Sequence, residues 1–524
     1  MDPSAKTLAL ASDCSLKTMR DARCISDTIV YISVFSRFKV SISSPKHSIN
    51  HHFIQTTPST SPFNNTIFLL THHPKDQNNQ NMPTQRFRAI IVGGGPVGLT
   101  AAHALSRANI DFILLERRSS AVIDAGSNLV LNPMGLRALD QLGLAAPLEQ
   151  VSSPLGLINR QDHQGRDIGD AHWFILFNKL LGTFPRVVSR HDLTKVLYDS
   201  FTPLQKSQIL TDKKVADIIP SETGVQVSCE DGTSYEGSIV IGADGAHSFV
   251  RNKMRALAED AGSDDINDEK PFLTTFRALW LRMPTKFAGI EPGTTCETHG
   301  PGAATQLFAG EDSSVMGLYE KLDAPTRDRV RYTEQDQVDL VERWGHIPLA
   351  PGGKLTLKEA FNARTQSGLV SLEEGVVGHW SWGGRVVLAG DSAHKFTPST
   401  GAGCNNGLID VVALVNQLYA LRQKSPIPTH AQLTTAFQSY QASRMDPVVE
   451  ACRGSGQATS SATWQTGVFK FIDKHIIGIT AIQNMLFGLG APKMAQSPKL
   501  TFIKGPERHV GKIAWTDPQE NKVY

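Results

Sequence analysis

At 524 residues the chain is long enough for two or three packed units, because single hydrophobic cores rarely grow beyond about 250–300 residues. Its composition, 40% hydrophobic and 19% charged, is that of an ordinary globular protein and excludes a low-complexity or fibrous chain. The net charge of +2, with acidic and basic residues interleaved, excludes the basic surface typical of nucleic-acid-binding proteins.

The cysteines are scattered and show no C-x-x-C spacing, which argues against a disulfide scaffold or a zinc site. We therefore expect no bound metal and a reducing, cytoplasmic environment. The six cysteines are Cys14, Cys24, Cys229, Cys296, Cys404 and Cys452.

Residues 1–81 are rich in Ser, Thr, His and Asn, poor in acidic residues, and lack sustained amphipathic periodicity. Three interpretations stay open for this segment: a disordered extension, a transit peptide, or a mispredicted extension upstream of a natural start at Met82.

Residues 82–265 are predicted to form the first part of a dinucleotide-binding domain. Phe87 to Val92 is a short apolar run typical of a buried parallel strand. Helical spacing follows over Val97 to Arg107, and Phe112 to Leu115 is a second strand. This succession within about thirty residues predicts a βαβ unit. A further helix is predicted over Leu136 to Leu144.

The glycine-rich turn of this unit fits a dinucleotide fingerprint. Gly93 permits the tight turn, Gly95 lets the backbone approach a pyrophosphate, and Gly98 brings the helix close to the strand. The helix N-terminus then points its free N–H groups at the phosphates. Glu116, at the end of the next strand, can accept hydrogen bonds from ribose hydroxyls. This motif alone does not separate FAD from NAD.

Later in the same segment, Val225 to Cys229 alternates, turns, and returns as Tyr235 to Ile241, which predicts a hairpin. Its second arm leads into the Asp-Gly pair Asp244-Gly245. Asp244 is a candidate ligand for the ribose–pyrophosphate region of a flavin dinucleotide. The alternative is an Asp-Gly turn without a ligand.

Residues 266–380 mix short alternating runs with turns, among them Phe272 to Leu281 and Ser314 to Tyr319. They predict an antiparallel substrate-binding layer. We expect smaller insertions of the same layer near residues 151–190.

A second glycine-rich loop marks residues 381–450 as the second part of the dinucleotide-binding domain. It follows the predicted strand Arg385 to Ala389 and contains Asp391, which can hydrogen-bond a ribityl chain. Gly403 lets the backbone lie against a flat ring. A helix predicted over Leu408 to Leu421 directs its N-terminus at the pyrimidine edge of a flavin, which becomes negative on reduction. The two loops together predict FAD.

Residues 451–524 are predicted to form a C-terminal helical region and tail. No segment reaches the roughly 20 apolar residues needed to span a bilayer. The nearest, Ile476 to Leu489, is interrupted by Gln483 and Asn484. Packing on the main body is the first interpretation of this helix. A lid, or peripheral contact with an internal membrane, is the alternative.

These motifs, over roughly Arg86 to Arg444, resemble the single-component FAD-dependent monooxygenases of the para-hydroxybenzoate hydroxylase type. The resemblance implies an α/β fold: a Rossmann-like FAD-binding domain with an inserted antiparallel β-sheet substrate domain and C-terminal helices. It implies Glu116, Arg190 and Asp391 as FAD ligands. It also places Val130 and Cys404 where the family contacts FAD mostly through the backbone. A helix-capping role is the alternative for Arg190.

The same resemblance implies that NADPH or NADH acts as co-substrate, and that O2 supplies one oxygen atom to a small hydrophobic substrate. A narrower resemblance, to fungal epoxidases of the paxilline and meroterpenoid type, is carried by His394 to Pro398, Gly403 to Gly407 and the tail from Glu507 to Trp515. It implies epoxidation of a prenyl or terpenoid chain in secondary metabolism.

Three other functions stay open: a hydroxylase of phenolic polyketides, a flavin-dependent reductase, and a non-enzymatic flavoprotein. No catalytic residue is assigned from the sequence. His191, His394 and Tyr319 are candidates for moving a proton, although residues of these types are more often structural than catalytic.

Overall fold

The computed structural model describes residues 86–517, apart from Ala125 and Lys354. The predictions for residues 1–81 and for Met82 therefore concern residues outside the described part of the chain.

Strands alternate with helices in the first half of the described chain, and long antiparallel strands dominate its middle. In chain order the strands are β1 (Arg88–Val92), β2 (Asp111–Leu115), β3 (Asn128–Leu131), β4 (Ser152–Pro154), β5 (Ile158–Asp162), β6 (Arg186–Ser189), β7 (Ile209–Leu210), β8 (Val215–Pro220), β9 (Val225–Cys229), β10 (Ser234–Gly237), β11 (Ile239–Gly242), β12 (Leu273–Pro284), β13 (Thr295–His299), β14 (Ala303–Ala309), β15 (Ser313–Thr326), β16 (Gln366–Val376), β17 (Ser381–Trp382), β18 (Val386–Leu388) and β19 (His394–Lys395).

The helices become longest toward the C-terminus. They are α1 (Pro96–Arg107), α2 (Pro133–Gln141), α3 (Ala145–Gln150), α4 (Trp173–Leu181), α5 (Arg190–Asp199), α6 (Pro203–Lys206), α7 (Phe249–Asp260), α8 (Thr285–Ala288), α9 (Glu334–Trp344), α10 (Leu357–Asn362), α11 (Ala402–Lys424), α12 (His430–Ala462), α13 (Gly467–His475) and α14 (Thr480–Met494), with 3-10 turns at Pro351–Gly353, Gly390–Ser392 and Pro398–Thr400.

A six-stranded sheet in the order β17-β18-β11-β1-β2-β7 forms the centre of the first layer. Its strands run parallel except for the terminal β17, which is antiparallel to β18. The inner strand β1 is fully buried at Ile90 and Ile91, as expected for a parallel strand covered on both faces. The carboxyl ends of β1, β11 and β18 therefore open at one edge of this sheet, and the predicted loops follow them.

A seven-stranded sheet, in the order β19-β16-β12-β15-β14-β13-β5, forms the second layer. One face carries Leu279, Leu281 and Leu318 and packs against α9 and α10 in a separate hydrophobic core. Alternate residues such as Ala278 and Tyr319 point to the opposite face, toward a large cavity. The predicted antiparallel layer is thus present, and it also takes in β5 and β19.

The predicted hairpin is only half correct. The returning arm, Tyr235 to Ile241, is split at Ser238: β10 pairs with β9, whereas β11 joins the six-stranded sheet beside β1. The Ser238 N–H donates to the Arg88 carbonyl at 2.7 Å, which fixes the crossing point. The pattern changes at the crossing, because β10 alternates whereas β11 is buried at every position, as expected for a parallel strand covered on both faces.

The helix predicted over Leu136 to Leu144 begins earlier, at Pro133, and ends at Gln141. The Asn132 side chain accepts hydrogen bonds from the N–H groups of Met134 and Gly135, which fixes its start. The helix predicted over Ile476 to Leu489 begins later, at Thr480, and runs on to Met494, and the residues from Ile476 to Ile479 connect it to α13. Among the described residues, no helix combines the length and the apolar character needed to cross a membrane.

Candidate active site

The two predicted loops meet in space, with Val97 between them. A Cβ atom added to Gly407 would lie 2.6 Å from a Val97 methyl carbon, and one added to Gly390 would lie 3.0 Å from it. Both glycines are therefore needed for α1 to sit against the second loop. The expected meeting of the turn near residue 95 with the loop near residue 400 is confirmed.

The first glycine turn packs tightly against the Asp-Gly segment. Gly93 has φ +108°, and a Cβ there would lie 2.5 Å from the Ala243 carbonyl oxygen. A Cβ on Gly98 would collide with the carbonyl of Gly93. Gly93 and Gly98 thus shape the turn from inside, whereas Gly95 lies on the cavity wall.

Glu116 is buried at the end of β2, beside the same turn. Its two carboxylate oxygens accept the N–H of Gly94 at 2.6 Å and the N–H of Arg118 at 2.9 Å. Each oxygen keeps a further acceptor site. Glu116 is not among the described residues that line the cavity. Its predicted contact with a ribose therefore stays a proposal.

Asp244 holds the start of α7. One carboxylate oxygen accepts the Ser248 hydroxyl at 2.5 Å, and the other accepts the N–H of Val250 at 3.1 Å. Burial raises the pKa of Asp244 in spite of these bonds. The neighbouring Ala243 and Gly245, rather than Asp244, line the cavity. This geometry favours the alternative of an Asp-Gly turn that caps the following helix.

The cavity itself measures about 1730 Å³ and lies between the loop edge of the six-stranded sheet, the seven-stranded sheet and the C-terminal helices. Six of the ten predicted cofactor-binding residues lie on its wall: Gly95, Val130, Arg190, Asp391, Gly403 and Cys404.

Two helix N-termini open onto this cavity without a side-chain cap. The residue before α1 is Gly95 and the residue before α11 is Gly401, and neither supplies a capping side chain. Their first-turn N–H groups are therefore available to an anionic or hydrogen-bond-accepting ligand. This arrangement fits the pyrophosphate of FAD at α1 and the pyrimidine edge of its ring at α11.

Arg190 supplies a positive charge at the same place. Its guanidinium is exposed, and within the described residues no carboxylate pairs with it. A Cβ on Gly95 would lie 3.8 Å from Nη2 of Arg190. Arg190 begins α5 rather than ending a helix, so the C-terminal capping alternative is wrong.

The remaining predicted residues surround the second loop. Asp391 is half-exposed, with Lys395 Nζ 3.4 Å from one carboxylate oxygen. A Cβ on Gly401 would lie 3.3 Å from the Cβ of Val130. Burial raises the pKa of the Cys404 thiol to about 12, so Cys404 stays a neutral thiol. Contact through its backbone suits this position better than side-chain chemistry.

Asn405, which we did not single out from the sequence, fixes the second loop. Its amide oxygen accepts the N–H of Asn132 at 3.0 Å, and its amide nitrogen donates to the carbonyls of Val130 at 2.8 Å and Gly401 at 2.7 Å. The side chain is fully buried. It ties β3 and the second loop into one rigid unit.

A buried ion network behind the loop also escaped the sequence analysis. Asp410 receives Nε2 of His394, Nε of Arg444 and the backbone N–H of Gly390. Burial alone would raise the pKa of Asp410, but the facing His394 and Arg444 lower it to about 2. His394 is therefore a structural partner, removed from the cavity wall.

Hydroxyl groups of α12 hold the turn that precedes α11. Ser455 contacts the Thr400 hydroxyl at 2.5 Å, and Thr459 contacts the hydroxyls of Ser399 at 2.6 Å and Thr397 at 2.9 Å. These contacts couple a helix of the C-terminal region to the loop predicted to carry the flavin.

A row of buried charged side chains forms another part of the cavity wall. Arg160 pairs with Asp473, Asp473 accepts Nδ1 of His299 at 2.9 Å, and Nε2 of His299 lies 3.2 Å from Glu297. Burial alone would lower the pKa of His299, but Asp473 and Glu297 raise it to about 9. We call these four residues the charged row.

Of the proton-transfer candidates, Tyr319 borders this row and donates its hydroxyl to Gln306 at 2.7 Å. Burial raises its pKa far above the ordinary value. His191 is half-buried in α5 and does not reach the cavity wall. The described structure thus favours structural roles for His191 and His394.

Comparison with known proteins agrees with this architecture. The sequence matches the FAD binding domain family over residues 86–426. It is 32% identical to the FAD-dependent monooxygenase srdH of Neurospora crassa, over 82% of this chain and 98% of that protein. It is 30% identical to the FAD-dependent monooxygenase penE of Penicillium thymicola, over 74% of this chain and 80% of that protein.

Among solved structures, Klebsiella pneumoniae HpxO complexed with FAD and uric acid superimposes with a TM-score of 0.59 at 20% identity, covering 77% of this chain and 97% of that one. The likeness shows a shared fold. The predicted fold class is confirmed. The chain belongs to the FAD binding domain family, as one of its FAD-dependent monooxygenases.

Proposed function

We propose that this monooxygenase uses NADPH or NADH together with O2 to epoxidise the prenyl or terpenoid chain of a meroterpenoid or indole-terpene-like intermediate in secondary metabolism. The narrower proposal draws on the motifs His394 to Pro398 and Gly403 to Gly407, and on the character of the cavity.

The observation that carries the proposal is the apolar wall of the cavity beyond the two loops. Aromatic and aliphatic side chains from the second sheet, α4 and α14 form it: Trp173, Phe174, Phe177, Trp280, Leu486 and Phe487. A wall of this kind suits a large lipophilic molecule better than a small polar one. An alkene also needs no side-chain base, and these six side chains supply none.

The residues around the loops would hold the cofactor. We propose that the N-terminus of α1 and Arg190 bind its phosphates, that Asp391 binds the ribityl chain, and that the N-terminus of α11 faces the pyrimidine edge. Glu116 is proposed for the adenosine ribose. Bound FAD supplies the redox chemistry with NAD(P)H and O2, while the chain orients the substrate and excludes water.

A second candidate, hydroxylation of a phenolic substrate, is favoured by Glu297. This carboxylate borders the cavity and can accept the proton of a phenol. In that case oxygen would enter the aromatic ring instead of the chain.

The experiment is turnover of the purified protein, beginning at Met82, with matched substrates under ¹⁸O2. A prenylated phenol is compared with its analogue bearing a saturated chain. Epoxidation predicts label in the chain of the first and no product from the second, whereas ring hydroxylation predicts labelled ring products from both. NADPH oxidation coupled to alkene reduction without O2 consumption would instead identify a reductase. A yellow protein without turnover on any substrate would contradict the enzymatic proposal.

We also propose that α13 and α14 make peripheral contact with a lipid surface. Phe471 of α13 and Met485 of α14 are 59% and 56% exposed, and Leu489 of α14 and Ile479, directly before α14, are exposed as well. Their neighbours Ile477 and Leu486 line the cavity. A lipophilic substrate could therefore pass from a membrane to the cavity between these helices.

A further inference from the structure

The charged row is costly to bury, and the fold alone does not require it. Side-chain exposures are 2% for Arg160, 4% for Asp473, 8% for His299 and 14% for Glu297. Taking four charges out of water is unfavourable unless their partners compensate, and replacing such a group with apolar residues often leaves stability unchanged. The row also lies on the wall of the cavity, which combines the apolar side chains named above with charged ones, and polar groups in such a site usually orient a ligand.

The hydrogen-bond inventory singles out Glu297. Both ring nitrogens of His299 are engaged, one with Asp473 and one with Glu297. Arg160 donates to Asp473 and to the Gly169 carbonyl. Glu297 accepts one bond on each oxygen, from His299 and from Gln306 at 2.7 Å. A carboxylate has about four acceptor sites, so Glu297 retains acceptor capacity at the cavity.

Building on the proposed function, we propose that Glu297 is a specificity-determining residue that binds an O–H or N–H donor on the polar head of the substrate, with His299, Asp473 and Arg160 holding it in place. The ligand class is a lipophilic molecule with a phenol, alcohol or indole N–H at one end. A carboxylic acid at that end is excluded, because two carboxylates would face each other in a poorly solvated site.

The ionisation of Glu297 supports this assignment. Burial alone would raise the pKa of Glu297, but the hydrogen bond from the cationic His299 lowers it. Burial would likewise raise the pKa of Asp473, and His299 with Arg160 lowers it to about 2. At neutral pH the row therefore alternates in sign and ends in an anion at the cavity. An anion accepts hydrogen bonds strongly and rejects other anions.

Gln306 connects this site to the second loop. Its amide nitrogen donates both to Glu297 at 2.7 Å and to the Ser399 carbonyl at 3.1 Å. Ser399 belongs to the turn Pro398–Thr400, directly before the N-terminus of α11. Glu297 is thus held one side chain away from the loop proposed to carry the flavin.

The test compares the binding of a prenylated phenol with that of its O-methyl ether, which has nearly the same shape but no donor. Dissociation constants are measured on the FAD-loaded full chain by titration calorimetry. We expect the phenol to bind at least about tenfold more tightly than the ether, because the ether leaves Glu297 without its partner. In Glu297→Gln this ratio should fall severalfold, because a neutral amide oxygen is a weaker acceptor than a carboxylate.

Ser371→Ala is the matched control, since it removes a hydroxyl from the wall of the same cavity and leaves Glu297 and its hydrogen-bond partners in place. It should keep the tenfold ratio. If the wild-type protein fails to bind the phenol more tightly than the ether, the assignment is wrong, and this comparison does not depend on any variant folding. If Glu297→Gln keeps the ratio, the donor is bound elsewhere and the assignment is also wrong.

The outcome is separable from that of the proposed function. Discrimination between phenol and ether without oxygen transfer would contradict the monooxygenation of this substrate class and leave the Glu297 site intact. Oxygen transfer to both compounds, bound with equal affinities, would contradict the Glu297 site and leave the proposed monooxygenation intact.

Discussion

One carboxylate oxygen of Asp410 lies 2.5 Å from Nε2 of His394, and the same oxygen accepts the backbone N–H of Gly390 at 3.0 Å. Asp410 belongs to α11, whereas His394 and Gly390 flank Asp391 in the second loop. The position of Asp391 therefore depends on a residue that never touches the cavity.

Replacing Asp410 by Asn should destabilise the protein by about 3–5 kcal/mol, because Arg444 and His394 lose their buried anion. Urea unfolding measures this change, and the absorbance of bound FAD should fall in parallel. Glu342→Gln, at an exposed position of α9, should change stability by less than about 0.5 kcal/mol. Equal stability of the Asp410 variant and the wild type would contradict the structural role.

The free energy of unfolding should depend on pH through His299. Its pKa is raised to about 9 in the folded protein, against roughly 6.5 in an unfolded chain. The resulting stabilisation is complete below about pH 6.5 and is lost as the pH rises through about 9. His299→Gln should remove this part of the pH dependence. Denaturation measured from about pH 6 to about pH 10 checks this, because that interval spans both pKa values of His299. If the free energy of unfolding of the variant depends on pH as steeply as that of the wild type, His299 is not cationic in the native state.

Gly407→Ala should separate α1 from the second loop, since the new methyl group would lie 2.6 Å from Val97. We expect a loss of about 1–3 kcal/mol from overpacking, with weaker FAD retention. Gly488→Ala is the control within another helix, where nothing lies within 4 Å of the added Cβ. It should gain about 0.5–1 kcal/mol from helix propensity. Thermal denaturation that ranked the two variants in the opposite order would contradict the packing.

Arg190→Ala should weaken FAD binding by about tenfold or more, because one charge-assisted hydrogen bond is worth roughly 1.5–3 kcal/mol. The stability of the FAD-free protein should stay nearly unchanged, since no ion pair within the described residues is broken. Titration of the FAD-free protein with FAD gives the dissociation constant. Lys358→Ala, on the exposed side of α10, controls for the loss of a positive charge. An unchanged affinity in the Arg190 variant would remove this residue from the site.

Contact with lipid should depend on the exposed side chains of α13 and α14. We expect the wild type to sediment with phospholipid vesicles, and the double variant Phe471→Ser with Met485→Ser to stay largely in the supernatant. Leu204→Ser serves as control, because Leu204 is 77% exposed but lies on α6. Sedimentation of the double variant at the wild-type level would contradict the proposed surface.

The sequence predicted those parts of the site that are short and local. The turn from Gly93 to Gly98 can be predicted without any distant residue, because its strand, turn and helix are consecutive in the chain. The second loop was predicted for the same reason. Their meeting was a premise of the FAD prediction, and the contacts around Val97 agree with the general rule that loops after parallel strands share one edge of the sheet.

Contacts between distant elements could not be predicted in this way. Glu297 and His299 lie on one strand, but the partner Asp473 comes from a helix 174 residues later than His299. No motif surrounds any of them, and their chemistry exists only after the two layers pack. The hairpin error at Ser238 has another origin, because the change from alternation to the apolar run Ile239 to Ile241 indicates a buried parallel strand, and both parts were interpreted as one arm.

Ser455 and Thr459 form hydrogen bonds with the turn at Pro398–Thr400. We therefore expect the two ends of the C-terminal region to tolerate sequence change to different degrees. The helix that carries these hydroxyls is hydrogen-bonded to the loop proposed to carry the flavin, so we expect it to vary little. The segment after Ala462 supplies Asp473, Leu486 and Phe487 to the cavity, so it can diverge while the cofactor loops stay intact. Grafting that segment between related enzymes is a direct route to changing which molecules are accepted.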